Sequence, residues 1–330
     1  TICAVIVTYN RKKLLLECLV SLLKQTRALQ GVYLVDNAST DGTPELLMEK
    51  GLIGTLPPVN LKEPWERSLK VSNHTDKNPI ELHYLRMPEN TGGAGGFYEG
   101  VRRGYVKGYH WLWMMDDDAE PSIDALEILC QKMSEEITAL AGTVVLPDNR
   151  IAENHRGTIN FKRVFPAMQK PLPLLLYNQT AVKIDMSSFV GLLIRRDIVV
   201  KIGFPAREFF IYHDDVDYCI RVRKVGEILL IPASVIKHKE LSGNLISKSF
   251  LKVKSFRIPF RRFWLQYYYL RNLIWLGKKH STNRVMFYVS LILYLTKLLI
   301  GIILYDDNKI KRIRLVLNSY IDGLKGLFDN

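Results

Sequence analysis

The feature that most constrains the fold is a regular alternation. In the first half of the 330-residue chain, short apolar runs alternate with segments of helical spacing. That order is the signature of a parallel sheet with crossover helices. Ile2–Val7 reads as the first strand and Leu14–Leu23 as the first helix. Val32–Val35 is a second strand, with a helix starting near Thr43. Leu82–Leu85 is a third, followed by the glycine-rich run Gly92–Gly96 and a helix from Phe97. Residues 54–79 carry four prolines among polar residues and read as an insertion. Further strands are expected at Trp111–Met115, Ala139–Leu146, Ser188–Ile194 and Ile228–Ile231, and helices from residue 122 to about Glu136 and over Tyr218–Lys224. Residues 150–183 show no clear period, and everything beyond about 245 reads as helical. The expectation is an α/β domain over residues 1–245 and a helical appendage over 246–330.

Three carboxylates, Asp116-Asp117-Asp118, directly follow the apolar run Trp111–Met115. A strand ending in like charges is costly unless something positive joins it. A hard divalent cation, Mg²⁺ or Mn²⁺, is the natural partner for such oxygen ligands. A second acidic cluster, Asp214-Asp215, opens a helical pattern whose N-terminus stabilises negative charge. A carboxylate there suits a general base, while N-capping by Asp214 is the structural alternative. His238, after an apolar strand and Pro232, is a candidate imidazole ligand beside the carboxylates. Asp36 ends the second strand and either accepts a hydrogen bond from a nucleoside or caps its own turn. The Gly92–Gly96 run fits neither GxGxxG after a first strand nor Walker A. It reads either as a flexible loop or as a place where the backbone approaches a sugar nucleotide.

Charge is uneven. The net +13 includes eight basic and no acidic residues between Phe250 and Lys279, interleaved with aromatics. Such a pattern suits nucleic acid, anionic lipid or phosphorylated substrates. Met286–Tyr305 follows, about one bilayer thickness of helix with Lys297 as its single charge. This favours a membrane-surface anchor over nucleic acid, with a buried helix as the plainer alternative and a span disfavoured by Lys297. The apolar helix also offers a face for a second subunit, so a homo-oligomer stays open. Four scattered cysteines without a CxxC pair read as reduced and structural, and Thr1 leads straight into the first strand with no leader pattern. The expected location is cytoplasmic, peripheral at the inner face of the cell membrane.

Taken in order, Val5-Ile6-Val7-Thr8-Tyr9-Asn10, Val35–Gly42, Asn90–Gly96, Asp116–Asp118, Asp214-Asp215 and His238 resemble the family 2 glycosyltransferases of the GT-A fold, over roughly residues 1–245. The wording of NTGGAGGF, MMDDDAEP and FIYHDDVDY is most similar to the galactofuranosyltransferase and rhamnosyltransferase branch. The resemblance implies that Thr8, Tyr9, Asp36 and Asn37 line a uridine pocket and that Gly92 and Gly93 border the donor. It implies Asp116 and Asp118 as the DxD metal ligands with His238, Asp117 at the ribose or donor sugar, and Asp215 as the base. Asp214 stands where many relatives carry Glu. Trp113, Phe189, Gly191 and His213 are further candidates for the sugar or acceptor pocket. The implied activity is metal-dependent inverting transfer, first of galactofuranose from UDP-galactofuranose, onto a glycan or polyprenyl-linked acceptor of a bacterial surface polysaccharide. Transfer from dTDP-rhamnose, or a non-catalytic membrane-associated glycan binder, is the alternative.

Overall fold

The computed structural model describes residues 1–239, 245–251 and 253–328. In chain order the first elements are β1 (Ile2–Thr8), α1 (Lys12–Leu23), β2 (Gly31–Asp36), α2 (Thr43–Glu49), β3 (Trp65–Ser72), β4 (Pro79–Arg86), α3 (Gly92–Lys107) and β5 (Trp111–Asp116). Then come β6 (Ala119–Pro121), α4 (Ala125–Cys130), β7 (Ala139–Val145), β8 (Arg156–Ile159), β9 (Gln169–Pro171), β10 (Val182–Ile184), β11 (Met186–Ser187) and β12 (Leu192–Arg195). α5 (Arg196–Ile202), α6 (Asp214–Arg223), β13 (Ile228–His238), β14 (Ile246–Phe250), β15 (Val253–Arg257), α7 (Trp264–His280), α8 (Arg284–Tyr305) and α9 (Lys309–Lys325) complete it.

The chain divides into two compact units. One comprises Thr1–Thr158, Pro171–Phe210 and Asp214–Glu240, the other Ile159–Lys170, Ile211–His213 and Leu241–Asn330. The first unit is built on a sheet ordered β10-β13-β7-β12-β5-β1-β2-β4-β3, with β6 paired to β13. Its heart, β4-β2-β1-β5, is parallel, because the connections from β1 to β2, from β2 to β4 and from β4 to β5 each carry a helix, α1, α2 and α3, that helps return the chain. β1, β2 and β7 are buried at every position, which is why they read as unbroken apolar runs rather than alternating ones. Antiparallel β12 then joins β5 to β7, and β3 covers the other edge.

The strand order reverses between β1 and β5: the chain runs outward from β1 through β2 and β4, then returns to β5 on β1's other side. Ligands of open α/β sheets bind outside the carboxyl ends of strands at such a switch point. Here that crevice is walled by Thr8 and the acidic triple.

Several expectations are corrected. The glycine run is not a loop but the first turns of α3. Gly96 and Gly100 lie against β1: a Cβ on either would come within 2.4 Å of Val7 Cγ1 or Val5 Cγ1. The glycines let the helix backbone settle on the sheet, a tertiary gain that offsets their poor helix propensity. Residues 54–79 contain the full-length edge strand β3. The helix after residue 122 is only Ala125–Cys130. Ser188 lies outside the strand expected from it, which is Leu192–Arg195. Residues beyond 245 begin with an antiparallel hairpin, β14–β15, before the helices. Trp113 lines no pocket, being wholly buried in the sheet core.

Candidate active site

β1 and β5 end side by side, and their last residues meet across the crevice. The Thr8 hydroxyl donates to Asp117 Oδ2 at 2.6 Å. Arg11, the residue before α1, spans two carboxylates: Nη1 lies 3.3 Å from Asp117 Oδ1 and 2.9 Å from Asp118 Oδ2. β13 crosses antiparallel to β6, pairing His238 with Ala119 in register. This brings His238 Nε2 within 2.8 Å of Asp118 Oδ1 and 3.7 Å of Asp116 Oδ2. Ligand atoms of Asp116, Asp118 and His238 all lie within 4.8 Å of one another. Residues separated by 120 positions thus converge because a long strand and a two-residue turn bring them to one end of the sheet.

Two carboxylates and one imidazole fit a small divalent cation. The oxygen-rich set suits Mg²⁺ or Mn²⁺, and the nitrogen inclines it toward Mn²⁺. Asp118 and His238 are buried, while the Asp116 side chain is 42% exposed. The two buried neighbours shift in opposite directions. It pushes Asp117 up to about 7, against the pull of Thr8 and Arg11. On Asp118 burial also pushes upward, but the hydrogen bond and charge of His238, with Arg11, more than offset it and hold the group below its ordinary value.

Asp214 and Asp215 open α6. Burial raises Asp215 to about 6; the Val216 N–H pulls it down, the charge of Asp116 pushes it up and Arg156 pulls it down. Asp214 is raised further, by burial and then by Asp215. A carboxylate poised near neutrality under the charge of Asp116 has the properties of a general base. Asp215 and the Asp116–Asp118–His238 cluster therefore belong to one electrostatic site.

Asp36 and Asn37 lie one strand away, in register with Thr8, but both are spent internally. Asp36 is fully buried and accepts from Tyr84 Oη at 2.7 Å, Arg86 Nη1 at 2.6 Å and the Ser39 N–H at 2.8 Å. Asn37 clasps the next loop, donating to Asn90 Oδ1 and Gly92 O and accepting from the Thr91 N–H and hydroxyl. They hold the loops after β2 and β4 rather than offer free atoms. Tyr9, the residue after Thr8, is exposed. Gly92 has φ +73° and packs on the Phe210 carbonyl, whereas a Cβ on Gly93 would meet nothing within 4 Å. Phe189 is wedged between Phe97 and Tyr218, and His213 belongs to the second unit.

Two residues were missed in the sequence. Arg11 had a signal: three carboxylates at a strand end need a countercharge, and Arg11 follows the neighbouring strand by three residues. Arg156 had none, lying in the stretch without period. It is fully buried, lowered to about 10 by desolvation, and donates to the carbonyls of Gly142, His155 and Val190. It ties β7, β8 and the turn before β12 together, and its charge pulls Asp215 down.

The chain is similar to the galactofuranosyltransferase GlfT1 of Mycolicibacterium smegmatis, 24% identical over 68% of this chain and 66% of that protein. It is similar also to GlfT1 of Mycobacterium tuberculosis, 26% identical over 68% and 64%, and to the dTDP-rhamnosyl transferase RfbF of Shigella flexneri, 22% over 75% and 80%. It spans just under two thirds of the length of the two GlfT1 proteins. Among solved structures, GalNAc-T7 with UDP, GalNAc and Mn²⁺ superposes with a TM-score of 0.53 at 16% identity, over 73% of this chain and 44% of that one. The mannosyltransferase PcManGT of Pyrobaculum calidifontis, with GDP-Man and Mn²⁺, gives 0.50 at 14% identity, over 98% and 75%. Those likenesses establish the GT-A fold. The glycosyl transferase family 2 pattern matches residues 3–51 and 67–203, more than half of the chain, and the protein belongs to that family.

Proposed function

We propose that this glycosyltransferase moves a sugar from a nucleoside diphosphate donor to an acceptor hydroxyl with inversion, and that the sugar is galactofuranose from UDP-galactofuranose. The observation that carries the reading is the convergence of Asp116, Asp118 and His238 beside a base candidate, Asp215, whose affinity for a proton is raised. Asp116, Asp118 and His238 would hold Mn²⁺ or Mg²⁺, which when bound supplies Lewis-acid stabilisation of the leaving diphosphate. Thr8 and Arg11 fix the orientation of Asp117 at the donor's ribose or sugar. Asp215 accepts the acceptor's hydroxyl proton as that oxygen bonds to the anomeric carbon; the bond from that carbon to the diphosphate breaks on the opposite face, and the nucleoside diphosphate departs. One attack on one face leaves inverted configuration, with no need for a second nucleophilic carboxylate.

The sugar assignment draws on the similarity to GlfT1, and that to RfbF supports dTDP-rhamnose as the second reading. The acceptor is a glycan or polyprenyl-linked glycan. A donor panel separates these: nucleotide release is measured for UDP-galactofuranose, UDP-galactopyranose, UDP-GlcNAc and dTDP-rhamnose with acceptor, with Mn²⁺ or with chelator. Metal-dependent release from UDP-galactofuranose supports the proposal; release from dTDP-rhamnose alone moves the protein to the second reading. No release from any donor, with donor binding intact, would make it a non-catalytic binder.

A further inference from the structure

α8 is the one described helix long and apolar enough to cross a bilayer, yet it is built into the second unit along one side only. Phe287, Leu291 and Ile302 are buried. Phe287 packs edge-on to Phe165 and against Gly277, and the Leu291 carbonyl accepts from Tyr320. Just past the helix, buried Asp306 takes both Arg257 Nε at 2.8 Å and Nη2 at 2.6 Å. The opposite side is bare. Val285, Val289, Ile292, Leu293, Ile300 and Ile303 are each half or more exposed, and their spacing of three, four and seven residues places them on one stripe. At 1.5 Å per residue, this stripe runs along a helix about 33 Å long. The β14–β15 hairpin of the same unit adds Leu251, Val253 and Phe256, all well exposed. Exposed apolar surface of this extent marks an interaction site.

Charge decides the occupant. From residue 245 to 330 there are sixteen basic and four acidic residues, nearly all of the chain's positive excess. Exposed Lys278, Lys279 and Arg284 precede the stripe and exposed Lys309 and Lys311 follow it. Lys297, on its edge, has a stem long enough to lay its ammonium back into water. A twofold dimer would set this face against itself, basic rim on basic rim. An anionic lipid surface answers both features at once, taking the apolar stripe at the acyl boundary and the lysines among its phosphates.

We propose that α8 is a monotopic membrane-docking helix, lying in the plane of an anionic bilayer with its Val285–Ile303 stripe inserted and the rest of its surface remaining packed in its own unit. Spanning would require stripping Phe287, Leu291 and Ile302 from that packing, so the helix lies on the membrane rather than through it. The inference is independent of the sugar transferred.

The test is flotation of the full chain with phosphatidylcholine vesicles, with and without phosphatidylglycerol. Flotation is expected with the anionic vesicles at low salt and should weaken as salt rises. Ile292→Glu/Leu293→Glu should cut partitioning roughly tenfold or more, since withdrawing even one such side chain from an apolar environment corresponds to about that factor. Its circular dichroism and nucleotide release in detergent-free buffer should be unchanged. Lys309→Glu/Lys311→Glu should weaken binding to anionic vesicles only. Recovery of the wild-type chain in the unfloated fraction would overturn the proposal. So would equal flotation of the double-Glu variant, or a wild-type dimer that this variant dissolves without any vesicle binding. Resistance of the bound wild type to extraction at alkaline pH would replace the in-plane helix with a true span.

Discussion

A carboxylate held in a buried, acidic setting should cost stability, and Asp215 allows that cost to be measured. Its carboxyl is raised from an ordinary 3.8 to about 6. A difference of roughly two pKa units corresponds to about 3 kcal/mol of preference for the protonated form in the fold. The side chain keeps part of its surface in water, so about 1–2 kcal/mol is the realistic share. The sign follows from linkage. The folded chain binds this proton more tightly than the unfolded chain does. Stability from Asp215 is therefore fully present below the unfolded value and is lost as pH rises through about 6. Asp215→Asn keeps the shape and removes the ionisation. In urea titrations with chelator present, the variant should be more stable than wild type by about 1–2 kcal/mol near pH 8, with the gap closing toward pH 4.

The same variant should lose turnover while donor affinity holds, because a base acts in the chemical step. Greater stability with lost turnover is the signature of a residue kept for chemistry at the expense of the fold. A variant less stable than wild type at every pH would refute the electrostatic reasoning, leaving Asp215 as a structural helix-terminal residue. Donor affinity falling in step with turnover would remove it from the role of base.

Other perturbations read other parts of the site. His238→Ala should weaken Mn²⁺ by about tenfold or more, followed by the electron paramagnetic resonance of the free ion, with the fold intact by circular dichroism. Arg11→Met takes the countercharge from Asp117 and Asp118, so chelated protein should lose about 1 kcal/mol in urea titrations, and saturating Mn²⁺ should recover most of it. An equal loss with and without the ion would show that Arg11 acts by packing. Gly96→Ala sets a methyl against Val7 and should cost about 1–3 kcal/mol by urea denaturation, while Gly93→Ala, half-buried but with nothing within 4 Å of its Cβ, should be neutral or mildly stabilising.

What the sequence made legible follows from which interactions are local. β1, β2 and β5 announce themselves because strands buried on both faces must be continuously apolar, and the acidic triple stands out because charge there contradicts that burial. The glycine run was misread for the converse reason. Nothing in Gly92–Gly96 itself favours a helix; Val5 and Val7, more than eighty residues earlier, supply the surface that only a helix without side chains can approach. The hairpin at 246–257 was hidden by its lysines and aromatics, which read as an interfacial helix when only composition is weighed.

The site itself divides along the same line. Ionisable residues at strand ends and helix starts could be picked out by type, since each is expensive without a partner. Which partner each one meets is set by topology. β13 runs eleven residues with an irregularity between Ile231 and Val235, and it is that length and register that set His238 opposite Ala119 and so against Asp118. Asp36 shows the limit of reasoning by type. A lone aspartate ending a parallel strand is equally suited to a ligand or to its own scaffold, and Tyr84 and Arg86 on the neighbouring strand decide for the scaffold. A buried carboxylate with three donors already aimed at it has little left to offer a ligand, whereas the ring of Tyr9 and the 42% exposed side chain of Asp116 remain open to solvent.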